Sequence, residues 1–293
     1  MEEMVDNEDM ISFKRWAKTD RTTMLESVQM MPDEFLDALC RSLLRLRLHD
    51  FIAKQQSAYC RDKKQELGEG EVLVIGDFSE NNTFCIQNEV QGYHWTPNQA
   101  TVHPFVCYFQ ESGKVEHKSV VFISNCMVHD TAAVYLFQAK LIEYLKTQLP
   151  FGLKKIFYFS DGCAAQYKNC KNFSNLCWHE ADFGVSAEWH FFATSHGKGP
   201  CDGVGGTIKR LATKASLQRP TDNQILTPED LFQYGVENIP SVQCILTTKE
   251  EWTAVSSQLE ARFALAKTLS GTQSACLHSP VQKHTQCSPF LKG

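Results

Sequence analysis

Two short apolar runs, each ending in an aspartate, limit this chain's possible folds more than any other feature. They are Glu71-Val-Leu-Val-Ile-Gly76-Asp77 and Lys154-Lys-Ile-Phe-Tyr-Phe-Ser160-Asp161. Runs of this length, rich in β-branched and aromatic residues and bounded by turn residues, read as strands buried on both faces. Such strands belong in a sheet covered by helices. In an open sheet of that kind, ligands gather at the carboxyl ends of neighbouring strands, where the topology reverses. If the two runs pair in parallel, Asp77 and Asp161 come within a few ångströms of each other. Two unpaired carboxylates that close repel strongly, and a divalent cation removes the repulsion. Hard oxygen donors suit Mg2+ or Mn2+.

The remaining pattern fills in the order of elements. Residues 1–30 read as a polar, acidic arm with one short strand or turn near Ile11–Trp16. From Pro32 to about Leu67 the apolar residues Phe35, Leu39, Leu43, Leu46 and Phe51 recur at helical spacing. Pro32-Asp33-Glu34 suits the start of that helix, and Gly68 and Gly70 its end. Thr101–Phe109 and His117–Ile123 flank Glu111-Ser-Gly113-Lys114, a hairpin signature. Asp130-Thr131 caps a helix running to about Leu149. Residues 164–180 read as a helix and Ala187–Ala193 as a third strand. A glycine-rich turn at 197–206 then leads into a basic helix from Ile208. Beyond Pro220 the pattern predicts helices near Pro228–Val236 and Lys249–Lys267, with a short strand at Val242–Leu246. Residues 270–293 are rich in Ser, Thr, Gln and Pro without periodicity and read as a disordered tail. This order predicts an α/β core over 70–220, a mixed sheet with helices on both faces. A helical segment at 31–69 precedes it, and a helical region at 221–269 follows.

A third acid completes a constellation. Asp202 lies 41 residues after Asp161, in the turn that follows the third strand, so the chain can carry it back over the strand ends. Three carboxylates can hold two metal ions roughly 3.5–4 Å apart, enough for phosphoryl transfer. Glu80 is a further possible ligand, and its bland reading is a surface loop acid. Asn81, Gln166 and His196 are accessory polar groups near the three acids. His190 lies on the third strand, where a histidine is more often a satisfied core residue. The net charge of −5 disfavours indiscriminate nucleic-acid binding. Yet residues 151–220 hold nine Lys/Arg against five acids, +4, leaving −9 elsewhere. Within that basic segment, Lys168, Lys198, Lys209, Arg210 and Lys214 are the candidate DNA-phosphate contacts.

Other signals carry less. The 197–206 turn lacks the Gly-Lys-Ser/Thr of a nucleotide loop. The twelve cysteines contain no Cys-x-x-Cys and read as reduced, mostly buried thiols. Cys163, Cys170 and Cys177 would lie along one helix face, too far apart for one zinc. Cys201 and His196 supply only two zinc ligands locally. Tyr93, His94 and Trp95 could stack on an unpaired base, although buried aromatics are commoner. No run of apolar residues is long enough to span a membrane. The acidic N-terminus lacks the basic region of a secretory signal, so an intracellular protein is expected.

Several longer motifs carry a resemblance. They are Gly76-Asp-Phe-Ser-Glu80-Asn81, Gln91-Gly-Tyr-His-Trp95, His103-Pro-Phe105 and Phe159-Ser-Asp-Gly-Cys-Ala-Ala-Gln166-Tyr-Lys-Asn169, together with the stretch from Trp189 to Lys209. In these the chain resembles a family of metazoan transposon-derived proteins with an RNase H-like core of the DDE transposase and integrase kind. Over roughly residues 11–270 the resemblance implies catalytic aspartates at Asp77 and Asp161 and a third acid on the following helix. DDE enzymes often have glutamate there, whereas this chain has Asp202. The implied activity is metal-dependent DNA strand cleavage and transfer, with Mg2+ or Mn2+ as cofactor. The implied partners are DNA and a homo-oligomeric assembly, with nuclear localisation. No zinc-finger spacing is present, so a separate DNA-binding subunit or a missing domain is expected. Two alternatives stay open, a domesticated module that keeps the fold without the reaction and a structure-selective nuclease of the same fold.

Overall fold

The apolar runs form strands whose side chains alternate between two packed faces. In β3 (Glu71–Gly76) Val72 and Val74 enter one core cluster, while Leu73 and Ile75 enter another. That two-sided burial requires cover on both faces, and the helices supply it. The computed structural model describes residues 10–19, 22–87, 98–149, 152–193 and 199–266. Expectations for the chain before residue 10, for Tyr93, His94 and Trp95, for His196 and Lys198, and for the 270–293 tail lie outside the described residues.

The chain divides into two compact units, residues 1–55 and 56–293. In the first, β1 (Ile11–Lys18) and β2 (Thr23–Met30) pair antiparallel, with Ile11 opposite Met30. The sequence reading expected a polar arm here with one short strand or turn. The second strand eluded it because apolar residues in Thr23–Met30 do not alternate cleanly. The turn is closed by Thr19 N–H donating to Thr22 O at 2.8 Å, and Arg15 bridges to Glu26 across the strands. The Phe13 ring meets Phe35 edge-on at 5.2 Å, at the start of α1 (Pro32–Gln65), a 34-residue helix that runs on into the second unit. None of the described residues from 10 to 52 is buried.

The second unit is a mixed sheet flanked by helices. Its strands run in the order β8-β7-β3-β5-β6-β9, and the two-residue β4 (Asn82–Thr83) pairs beside β5. β5 (Gln99–Glu111) and β6 (Lys114–Ser124) form the expected hairpin. Its turn, Ser112-Gly113, has both φ values positive, at 53° and 77°, as a tight two-residue hairpin turn requires. β5 pairs antiparallel with β3. β7 (Lys155–Ser160) pairs parallel with β3, and β8 (Ser186–Phe191) parallel with β7. β9 (Val242–Thr247) pairs parallel with β6. The short strand expected at Val242–Leu246, in a region otherwise read as a helical extension, is therefore an edge strand of the sheet.

One face is covered by α2 (Thr131–Gln148), whose Ala133, Leu136, Phe137 and Leu141 pack on Val72, Phe105, Val120 and Phe122. Asp130 caps that helix by accepting the Ala133 N–H, as its sequence foretells. α6 (Lys249–Ala266) packs behind it through Leu259 and Phe263 against Ala132 and Tyr135. On the other face lie α4 (Pro200–Gln218) and α5 (Pro228–Asn238), with Ile208, Ala212 and Leu231 against Val102, Val121 and Ile123. α3 (Cys170–Phe183) connects β7 to β8. It starts six residues later than the 164 expected. Asn169 is its N-cap and accepts the Asn172 N–H, while 164–167 form a turn. Cys163 therefore stands outside the helix, not on one face with Cys170 and Cys177. No helix among the described residues is long and apolar enough to cross a membrane.

Candidate functional site

The parallel register of β3 and β7 fixes the site. Val72 stands opposite Ile156 and Ile75 opposite Phe159. Asp77 and Asp161 each lie two residues beyond that last pair, so both strands deliver an acid at the same level. From β3 the sheet continues through β5 on one side and through β7 on the other. This is a topological switch point, where the connections diverge and leave a crevice at the carboxyl ends.

α4 brings the third acid because its start is clamped to the segment leaving β3. Cys201 Sγ donates to the Ile75 carbonyl at 3.2 Å. Gly205 lies so close that a Cβ there would sit 2.9 Å from Ser79 Oγ and 3.2 Å from Ser79 Cβ. Lys209 Nζ donates to the Glu80 carbonyl at 3.0 Å. Asp202 occupies the first turn between these ties and is exposed.

Asp161 and Asp202 lie near enough for their charges to act on Asp77. The Asp77 carboxyl is pushed up to about 7, first by burial, then by the negative charges of Asp161 and Asp202. The Phe78 backbone N–H, bonded to the carboxylate, offsets part of this. Like charges converging in a half-buried crevice favour protonation or a cation.

Beneath Asp77 lies a network absent from the sequence reading. His103 on β5 is wholly buried, and its Nε2 is 2.8 Å from Tyr167 Oη, also buried. Burial keeps His103 neutral, with its pKa lowered to about 3. Burial, then the charges of Asp77 and Asp161, hold the Tyr167 hydroxyl protonated. Phe78 packs edge-on to His103 at 4.3 Å and stacks on His129 at 4.4 Å. The Thr101 hydroxyl donates to the Cys126 carbonyl at 2.7 Å, so it accepts from His129 Nε2 at 2.8 Å. Gly76 is required here, since a Cβ would fall 2.4 Å from the Phe105 ring. A sequence signal did exist: His103 and Tyr167 both lie inside the motifs that carry the resemblance.

The other expected residues are distributed unevenly. Glu80 is exposed, and its charge is not among those acting on Asp77. Asn81 Nδ2 reaches Gln99 at 3.4 Å. The Gln166 carbonyl accepts from Thr131. Lys168 is exposed and folds back over the turn after β7, its Cδ 3.8 Å from where a Gly162 Cβ would lie. Lys209 is engaged by the Glu80 carbonyl. Arg210 and Lys214 are exposed on α4 and line an open groove with Leu217. His190, half-buried, lies between the rings of Tyr59 and Phe159 with its Nε2 3.3 Å from Glu188, so it is not the satisfied core histidine expected. Burial pushes the Cys201 thiol up to about 12, helped by the Asp77 and Asp202 charges, and its Sγ–H is given to the Ile75 carbonyl.

The donor set of Asp77, Asp161 and Asp202 fits Mg2+ or Mn2+ in chemistry and charge. As placed, however, no three His, Cys, Asp or Glu side chains among the described residues stand close enough to hold a metal ion. Backbone N–H groups engage all three carboxylates, Asp77 through that of Phe78. Asp161 accepts the Cys163 N–H at 3.1 Å, and Asp202 accepts the Gly199 N–H at 3.2 Å. No curated protein matches the chain. A family model does match, over residues 56–288, and so covers the sheet, its helices and all three acids. The chain belongs to that family, the one described as a domain of unknown function, DUF8701.

Proposed function

We propose that the second unit is an RNase H-like core that cleaves and transfers DNA strands by metal-dependent phosphoryl transfer. The observation that carries the reading is the raised Asp77 carboxyl, with Asp161 and Asp202 as its charged neighbours at a switch point of the sheet. The strand arrangement supports it as well. A three-stranded antiparallel meander, β3-β5-β6, is followed by β7 and β8 added in parallel on the far side of β3. An acid follows the first strand and the fourth, and another sits on the helix after the fifth, as an RNase H-like core would have them.

When bound, Mg2+ or Mn2+ supplies Lewis acidity toward a phosphoryl oxygen and eases deprotonation of the attacking hydroxyl. Asp77 and Asp161 are the residues that would hold it, joined by Asp202 once that side chain leaves its own helix cap. Without a cation the Asp77 carboxyl is pushed up to about 7 by burial and by its acidic neighbours, and a bound cation would favour its ionised form. Arg210 and Lys214 offer charge to a DNA backbone. His103, Tyr167 and Phe78 hold the Asp77 segment from below and exclude water.

The test is Mn2+ titration by calorimetry with and without a DNA duplex, alongside nicking of supercoiled plasmid. Binding and nicking that vanish in Asp77→Asn with Asp161→Asn support the reading. Intact DNA binding without metal binding or nicking would leave a domesticated module instead. Nicking without strand joining would leave a structure-selective nuclease.

A further inference from the structure

α1 exposes a row of leucines that nothing in its own unit covers. Leu36, Leu39, Leu43 and Leu46 are 53, 39, 46 and 59% exposed. Their spacing of three, four and three residues puts them on one stripe of the helix. No described residue from 10 to 52 is buried, so this segment has no core of its own. An apolar stripe of that kind is covered in a stable protein.

We propose that this stripe is an interface with a second copy of the chain, the two helices running antiparallel. The flanking charges specify the partner and its direction. Asp33, Cys40 and Arg47 recur every seven residues along one flank of the stripe, the position from which coiled-coil helices exchange charge contacts. Antiparallel pairing sets Leu36 against Leu46 and Leu39 against Leu43 of the second copy. In that register Asp33 meets Arg47 at both ends, and the two Cys40 side chains meet near the two-fold axis. Parallel pairing would instead set this flank against the opposite flank of the partner helix, Cys40 near Phe35 and Arg47 near Ser42, and give neither charge an opposite partner. The contact is self-complementary and closes as a dimer, without open-ended growth. Leu44, Leu48 and Phe51, also exposed, lie about 60–120° round the helix from Leu36, beyond Cys40 and Arg47, and take no part. The stripe lies ahead of residue 56, where the family match begins, so the inference is independent of the catalytic reading.

Sedimentation velocity on the full chain at micromolar concentrations tests this. A dimer is expected, and Leu39→Lys with Leu43→Lys should render it monomeric, with a thermal midpoint that no longer rises with protein concentration as the wild type's does. Asp33→Arg should weaken association by about tenfold, and adding Arg47→Asp in the same chain should restore it. Diamide oxidation should yield a crosslinked dimer on non-reducing gels that Cys40→Ser abolishes. A monomer at every concentration would overturn the proposal and leave the stripe to another protein. So would a dimer indifferent to the leucine changes, or a charge swap that fails to restore association.

Discussion

At Asp77 the sheet concentrates its least favourable charge. The folded carboxyl titrates at about 7, against 3.8 ordinarily, so between those values the folded chain holds a proton that the unfolded chain has released. The stability this gives is fully present below pH 3.8 and is lost as pH rises through 7. Asp77→Asn cannot lose it. In chelator, the thermal midpoint of the wild type should therefore fall relative to that variant between pH 4 and pH 8. The difference should be on the order of 1–2 kcal/mol once solvent screening is allowed for. Mn2+ at pH 8 should raise the wild-type midpoint and leave the variant's unchanged. Parallel midpoint curves for the two proteins would remove the electrostatic basis of the site. Asp77 and Asp161 were legible in the sequence because each terminates its own strand, a local pattern. The pairing of His103 with Tyr167 was not, since 64 residues separate them and neither motif announces its partner.

Among the elements, α4 positions the third acid by contact, and small residues make that contact possible. Gly205 faces Ser79, and Cys201 reaches the Ile75 carbonyl. Gly205→Val would force the helix off the β3 segment and carry Asp202 with it. The expected cost is about 1–3 kcal/mol, as in other overpacked sites. Urea unfolding checks the stability, and Mn2+ affinity should fall together with it. An unchanged affinity would mean that Asp202 is not a ligand. The sequence placed this helix after a glycine-rich turn but read the glycines as turn chemistry alone. Gly205 lies inside the helix and is needed for close approach. The start of α3 was misplaced for a similar reason. Ala164 and Ala165 favour a helix, yet Asn169 offers a side-chain cap only from residue 170 onward. The β1–β2 hairpin escaped notice because its strands are half exposed and lack the apolar alternation that betrays a strand facing a core.

Across the whole second unit, β9 and α6 tie the end of the described chain to its middle. Arg262 grips Asp182 on α3 through two bonds of 2.7 and 2.9 Å, and Asp182 also accepts from Tyr135 on α2 at 3.0 Å. Both side chains of the ion pair are under a fifth exposed, so removing the arginine leaves a carboxylate poorly solvated. Arg262→Ala should destabilise the unit by roughly 2–3 kcal/mol, read as a lower urea midpoint with an unchanged slope. Arg262→Lys should recover part of that loss, as one bond can re-form. A midpoint unmoved by Arg262→Ala would show that α6 is held by its apolar contacts alone.

The shared register of β3 and β7 governs how this gene segment can change over time. Side chains along a strand point alternately to the two faces, so deleting one codon between Val72 and Asp77, or between Ile156 and Asp161, would turn an aspartate away from its neighbour. Letter changes among valine, isoleucine and leucine keep the alternation, whereas a change in length does not. Drift in these two stretches should therefore be confined to spelling, and indels should accumulate in surface turns such as Ser112-Gly113, where no aspartate depends on the count.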